Sequence, residues 1–237
     1  MAALQYSSND RRKHIRSPYE DQPVGSKTLF VPLANWSRPA IGLKRIADIG
    51  LSLAALVLLT PMMAFIAIIV RVTSNGSIFF AQERLGRGGK PFRMYKFRTM
   101  IPNAEVQKIQ LLSRNEMSGP VFKMKEDPRV TSVGKILRKY SLDELPQFWN
   151  VLHGEMSLVG PRPALMQEVR QYRQWQLRRL STKPGITCIW QVSGRSRIGF
   201  EDWMRMDIRY IENWKIMLDA KLLAKTIRAV IKSDGAY

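Results

Sequence analysis

Residues 49–70 read IGLSLAALVLLTPMMAFIAIIV, an apolar run without one charged side chain. At about 1.5 Å of rise per residue, a helix of this length reaches across a bilayer core of roughly 30 Å. Its surroundings argue against simple spanning. Lys44 and Arg45 precede it, and Arg71, Arg84, Arg87, Lys90 and Arg93 follow it. Basic flanks favour the cytoplasmic side, and here both ends carry them. Pro61 lies near the middle, where it removes a helical hydrogen bond, and the Thr60 hydroxyl beside it can satisfy a freed carbonyl. A helix that enters the membrane, bends at Thr60-Pro61 and leaves on the same face accounts for both flanks and proline. A kinked spanning helix accounts for the proline alone. Asp48, at the start of the run, is placed to pair with Lys44 or Arg45.

Upstream, residues 1–40 are polar and basic, with RRKHIR at 11–16, and read as a flexible tail that either lies on anionic headgroups or is simply solvated. No secretory signal precedes the apolar run, so the catalytic part is expected to stay cytoplasmic. The chain of 237 residues is long enough for one domain with a modest core. Its net charge of +19 calls for an anionic partner: nucleic acid, acidic lipid or a phosphorylated substrate. A single cysteine, Cys188, excludes an intrachain disulfide, and with only His14 and His153 beside it no zinc site can be built. His153, just before Gly154, reads as a helix-end residue.

Downstream, Ser77–Gln82 and Pro91–Thr99 read as two short strands around GRGGK, whose glycines suit a tight turn and whose spacing is not that of a Walker loop. Lys96 and Arg98 on the second strand are candidate phosphate ligands. Short helices are predicted at Val106–Leu112, Thr131–Lys139 and Pro146–Leu152. A basic amphipathic helix is predicted at Ala164–Leu180, with Leu165, Val169, Tyr172 and Leu177 on one side. Phe200–Leu223 carries Trp203, Trp214, Met204, Met206 and Met217, which suit a membrane interface or an ordinary core. The final LLAKTIRAVIK reads as a surface-lying helix with snorkelling lysines.

The chemistry concentrates in residues 138–163, RKYSLDELPQFWNVLHGEMSLVGPRP. Asp143 and Glu144 are adjacent carboxylates, Arg138 precedes them, and Arg162 is held between Pro161 and Pro163. Phosphoryl transfer uses a nucleophile or metal ligand of this kind with guanidinium groups on phosphate oxygens. Two carboxylates with substrate phosphates also suit Mg²⁺. The same residues admit a plainer reading: Ser141 to Glu144 spells a capping box, in which Glu144 only bonds the Ser141 amide. Pro146 fits that box poorly, because it would fall inside the new helix.

From about Leu43 to the C-terminus the chain resembles the bacterial sugar transferase family, the monotopic phosphoglycosyl transferases. The blocks that carry the resemblance are KRIADIGLSLAALVLLTP, AQERLGRGGKPFRMYKFRTM, DPRVTSVGKILRKYSLDELPQFWNVLHGEMSLVGPRP, KPGITCIWQVSGR and LDAKLLAKTI. The resemblance implies an α+β fold, mostly helical, with a small β-hairpin and a re-entrant membrane helix over 41–73 ahead of a cytoplasmic catalytic domain over 74–237. It implies an enzyme of the bacterial inner membrane that moves a sugar 1-phosphate from a UDP-sugar to undecaprenyl phosphate. Asp143 would be the nucleophile, Glu144 the second carboxylate at Mg²⁺, and Arg138 and Arg162 the phosphate ligands. The QVSGRSRIGFEDWMRMDIRYIENW stretch and the Ser-Asp-Gly-Ala-Tyr ending look like the exopolysaccharide-initiating branch, which implies UDP-galactose first and UDP-glucose second. The extra N-terminal membrane helices of larger relatives are not seen, so the chain looks like the minimal catalytic unit. The partners expected are the UDP-sugar, undecaprenyl phosphate and membrane lipid, not nucleic acid, and a homodimer is left open. A membrane-anchored basic binding or scaffold protein is the rival, and it leaves the Asp-Glu pair and the Pro-Arg-Pro segment unexplained.

Overall fold

A computed structural model describes residues 36–194 and 198–232; the tail read over 1–40 lies outside the described residues as far as residue 35, as do Arg195–Arg197 and the Ser-Asp-Gly-Ala-Tyr ending. The chain is mostly helical, with two small sheets. Helix α1 (Arg38–Thr73) runs for 36 residues and includes Pro61. Ser37 precedes it and Pro39 sits in its first turn, where a missing amide leaves no hydrogen bond unmade. The carbonyl that Pro61 orphans is that of Val57, four residues back. The Thr60 hydroxyl instead donates to the neighbouring Leu56 carbonyl at 2.6 Å, the usual back-bond of a helical threonine.

The burial of α1 is inverted relative to a helix of a water-soluble domain. Its buried residues include Lys44, Asp48 and Ser52, whereas Val57, Leu58, Phe65, Ile68 and Val72 are exposed, Leu58 by 77% and Val72 by 80%. A contiguous exposed apolar surface of this kind needs a non-aqueous environment. By length and composition, α1 is long and apolar enough to cross a membrane.

Both ends of α1 are fastened to the rest of the chain. Near the start, the Lys44 ammonium donates to the Val159 carbonyl at 3.1 Å and pairs with the Asp219 carboxylate. Asp219 also accepts from the Tyr210 hydroxyl at 2.9 Å and the Trp214 indole at 3.1 Å. Asp48 pairs with neither Lys44 nor Arg45, contrary to expectation. Its carboxylate accepts from the Ser157 hydroxyl at 3.1 Å and the Leu158 amide at 3.0 Å, because the domain wall beside it offers donors that a helix cannot. Arg45 donates to the carbonyls of Val151 and Leu152, the last-turn acceptors of helix α4 (Gln147–His153). Trp36 stacks on Trp214 with ring centroids 4.2 Å apart. At the far end, Ile66 and Val70 pack with Phe97 and Leu137, and the Arg98 guanidinium donates to the Ser74 carbonyl and hydroxyl at 2.8 and 2.7 Å.

Strands β1 (Phe79–Leu85) and β2 (Pro91–Phe97) form the expected antiparallel hairpin, in register from Phe79 opposite Phe97 to Leu85 opposite Pro91. Gly88 and Gly89 turn it at φ of 68° and 75°, the left-handed region that favours glycine. Helices α2 (Ala104–Leu111) and α3 (Ser132–Lys139) match their predicted positions within a residue or two. A short parallel pair, β3 (Ser157–Val159) and β4 (Gly185–Thr187), was not foreseen. The helix expected over Ala164–Leu180 is broken into α5 (Met166–Val169) and a 3-10 segment at Gln174–Ser181. Its apolar side was read correctly, since Val169, Tyr172 and Leu177 are all buried. The short α6 (Ile189–Ser193) precedes α7 (Phe200–Glu212) and α8 (Ile216–Lys232), and the LLAKTIRAVIK segment read as a surface helix falls in α8. Trp203 and Met204 are core residues, whereas Met217 is exposed.

Lys44→Leu is expected to cost roughly 3 kcal/mol of stability or more, because it strands a buried carboxylate at Asp219. Denaturation of the detergent-solubilised chain measures it, and a loss below about 1 kcal/mol, the range of an exposed pair, would contradict the buried-pair assignment.

Candidate active site

Lys96, Arg98, Arg138, Asp143, Glu144 and Arg162 all line one cavity of about 520 Å³. Three elements supply four of them, Lys96, Arg138, Asp143 and Glu144. Strand β2 supplies Lys96 near its end. Helix α3 ends with Arg138, and its start is capped by the Thr131 hydroxyl, which accepts from the Gly134 amide at 2.9 Å. A 3-10 turn at Leu142–Glu144 presents the two carboxylates.

The junction between β2 and α3 depends on a residue without a side chain. A Cβ on Gly134 would lie 2.1 Å from the Thr99 carbonyl oxygen, so only glycine lets the two segments approach this closely. That approach places the Thr99 hydroxyl 2.9 Å from the Arg138 Nε, which donates to it. Ser141 adopts φ of 55°, an uncommon conformation for a residue with a side chain, immediately before the acidic turn. The capping-box reading fails here. Ser141 makes no side-chain cap bond, and the Glu144 carboxylate accepts from the Lys96 ammonium at 2.6 Å. Pro146 instead precedes α4 as its first flanking residue.

Lys96 bridges the carboxylates, 2.6 Å from Glu144 and 3.6 Å from Asp143. Asp143 is buried, and burial pushes its carboxyl above the usual carboxylate range. Lys96 and Arg138 oppose that rise, and the neighbouring Glu144 charge adds to it. Burial lowers the Arg138 guanidinium, with Asp143 and Asp127 acting the other way. The result is a buried carboxylate kept near two cations that have little water to compete with them.

Arg162 reaches the same cavity from the Pro-Arg-Pro loop. Its guanidinium lies over the Trp203 ring, 5.7 Å from the centroid. Its carbonyl accepts from Arg179 at 2.8 Å, and Arg179 also donates to the Tyr172 hydroxyl at 2.7 Å and pairs with Asp207 at 2.7 Å. The Pro-Arg-Pro loop is thus held from beneath by a buried arginine. Arg98 lines the same cavity, but its guanidinium is engaged by Ser74 at the end of α1. His153 lies exposed at the end of α4, as read, with Nδ1 3.1 Å from the Trp149 carbonyl.

Arg84 and Trp190 are cavity residues that sequence reasoning passed over. Arg84 was counted among the basic flanks of the membrane run, yet it is buried and donates to the Pro163 carbonyl at 3.1 Å and to Gln82 at 2.6 Å. Its alternation with Gln82 on β1 was the signal available. Among the described residues, no cluster of three or more His, Cys, Asp or Glu could hold a metal by itself. The Asp143–Glu144 pair nevertheless suits Mg²⁺, a hard cation that takes one or two carboxylates and completes its shell with water and substrate phosphates. The ammonium of Lys96 against both carboxylates shows that this spot favours positive charge.

Comparison with known proteins adds family context to this geometry. The profile of the bacterial sugar transferase family matches residues 39–233. The galactosyl transferase CpsE of Streptococcus agalactiae serotype III is 45% identical over 194 residues, 81% of this chain and 43% of CpsE. The exopolysaccharide production protein ExoY of Sinorhizobium fredii is 38% identical over 214 residues, 88% of this chain and 95% of ExoY. The undecaprenyl-phosphate galactose phosphotransferase of Salmonella typhimurium is 41% identical over 200 residues, 82% of this chain and 42% of that protein. The chain therefore spans less than half the length of the first and third relatives and nearly all of the second.

Arg179→Leu is expected to destabilise the fold by about 3–5 kcal/mol, since Asp207 would remain buried without its cation. Urea denaturation reads this directly, and a change under 1 kcal/mol would show that the pair is not needed to hold the loop.

Proposed function

The chain belongs to the bacterial sugar transferase family, and from that premise we propose that it transfers a hexose 1-phosphate from a UDP-sugar to undecaprenyl phosphate, releasing UMP and initiating exopolysaccharide synthesis. The observation that carries this reading is the gathering of Asp143, Glu144, Lys96, Arg138 and Arg162 around one cavity. That cavity adjoins the core cluster in which Ile66 and Val70 of the apolar helix pack. One substrate is soluble and the other is held in lipid, so a charged site next to a lipid-seeking helix suits both.

In the proposed reaction an Asp143 carboxylate oxygen attacks the phosphorus that carries the sugar. A phosphorus–oxygen bond to Asp143 forms, and the bridging pyrophosphate bond breaks, its electron pair leaving with UMP. An oxygen of undecaprenyl phosphate then attacks the same phosphorus, and the Asp143 oxygen departs as carboxylate. Lys96 and Arg138 favour the ionised form of Asp143 against the effect of its burial, and Arg138 and Arg162 hold phosphate oxygens through charge-assisted hydrogen bonds. Mg²⁺ would be held by Asp143 and Glu144 and would supply charge neutralisation at the phosphates. Galactose is the preferred sugar in this reading, since two of the three relatives carry galactose in their names; glucose ranks second.

The re-entrant form of α1 is part of the same proposal. Support comes from its two fastenings: Lys44, Arg45 and Asp48 bind the domain before the apolar run, and Ile66, Val70 and Ser74 bind it at the other end. A helix crossing the bilayer would carry its two ends to opposite faces. On this reading the enzyme sits at the cytoplasmic face of the inner membrane. A non-catalytic scaffold would have no use for the buried Asp143 beside Glu144.

Asp143→Asn is expected to abolish UMP release from UDP-galactose while the protein stays in the membrane fraction; near-normal turnover would remove Asp143 as nucleophile. Because Asp143 must be ionised, kcat/KM should fall as pH drops through its titration. Lys96→Met removes a lowering influence on Asp143, so the acid limb should move to higher pH. An unmoved or downward-shifted limb would contradict the role given to Lys96. For topology, single cysteines replacing exposed Ser37 and Asn75 in a Cys188→Ser background should both resist an impermeant thiol reagent in intact cells. Labelling of one flank from the periplasm would establish a spanning helix instead.

A further inference from the structure

Among the described residues, three cavity-lining residues keep a buried donor without a hydrogen-bond partner: Arg98 at its Nε, beside the end of α1 where Ser74 holds the rest of its guanidinium, and, away from α1, Arg84 at its Nε and Trp190 at its indole Nε1. Buried donors left unmade are costly and uncommon, so a pair of them lining one cavity marks a place where a ligand supplies acceptors. The surroundings narrow the ligand. Arg84 and Arg162 lie close enough for the second to depress the first. Burial and that like charge hold the Arg84 guanidinium down to about 10, with Glu168 acting against them. The Glu168 carboxylate is itself engaged by the Leu165 amide at 3.0 Å. The wall is rich in donors and carries excess positive charge, which fits a phosphate.

The cavity has two differently built ends. The dyad rises from a cluster that contains Ile66 and Val70 of α1 together with Leu142 and Leu145. Arg84 and Trp190 rise from another cluster, where Leu85, Ala164, Tyr172 and Trp203 pack and no residue of α1 takes part. On the transferase reading, the α1 side would suit a lipid-borne phosphate and the other side a soluble nucleotide.

We propose that Arg84, with the Trp190 indole N–H, binds the nucleotide phosphate of the donor, the phosphate that leaves as UMP. This rests on the transferase reading above. Arg84 and Arg162 would share the oxygens of that phosphate, leaving Lys96 and Arg138 to the phosphate that is transferred. Arg84 thereby holds the leaving group and also sets how tightly UMP is retained as product.

The test uses the full chain in detergent with UDP-galactose and undecaprenyl phosphate, comparing wild type with Arg84→Gln and Trp190→Phe. Arg84→Gln removes the charge, and Trp190→Phe removes the N–H while keeping an aromatic ring. In Arg84→Gln the inhibition constant of UMP and the KM for the UDP-sugar should both rise about 10- to 100-fold, the effect of one charge-assisted hydrogen bond. Trp190→Phe should move both the same way by roughly fivefold, as for one neutral bond. The KM for undecaprenyl phosphate should stay unchanged in both. A raised KM for the lipid phosphate with an unchanged UMP constant would overturn the assignment in favour of the acceptor phosphate. Unchanged constants throughout would reduce Arg84 to a structural residue. Should Arg84→Gln lose its helical circular dichroism, Trp190→Phe decides alone: a raised UMP constant supports the site and an unchanged one overturns it. Wild type that releases no UMP would instead overturn the transferase reading itself, and the nucleotide site with it.

Discussion

An ammonium taken out of water must meet its counter-charge where it lies, and Lys44 meets Asp219 across almost the whole length of the described chain. Tyr210, Trp214 and the Val159 carbonyl complete the cluster. The amphipathic demands of α1 explain why such a fastening exists. Apolar contacts alone would leave the helix indifferent between the domain and the lipid, since lipid tails are as apolar as a protein core. A buried polar cluster is not indifferent, because lipid cannot satisfy it. Lys44, Asp48 and Ser52 therefore set which side of α1 faces protein.

The same logic runs through to the chemistry. Strand β3 receives Asp48 at Ser157 and Leu158 and hands the chain on, after Val159, to Pro161, Arg162 and Pro163. Helix α1 and the Pro-Arg-Pro loop are thus coupled through three residues of strand. At its other end, α1 packs on Phe97 and Leu137, which flank Lys96 and Arg138 in sequence. The segments that supply Lys96, Arg138 and Arg162 each have one foot on α1.

Much of this was legible in the sequence. The hairpin, α3 and α4 followed from strand alternation and proline or glycine punctuation, and all six site residues fell into one cavity. What was not legible has a common physical cause. The parallel pair β3–β4 joins three-residue strands far apart in sequence, too short to show a period. The break at Arg170–Arg173 lies within a continuous amphipathic pattern, because a 3-10 segment and an α-helix can bury nearly the same side chains. The capping box at Ser141 satisfied a local rule that a long-range partner, Lys96, overrode.

Charge was the hardest feature to read. Basic residues beside an apolar run suggest flanks on the cytoplasmic side, and Lys44 and Arg84 were counted among them on that ground. Both are buried, one against a carboxylate and the other beside a second arginine. The difference between those two environments separates structure from function. Lys44 is neutralised within the fold and serves stability. Arg84 keeps an unmet donor and a like-charged neighbour, an arrangement that stabilises nothing on its own. A fold tolerates such a site when a ligand completes it, and the ligand proposed for this cavity is a phosphate.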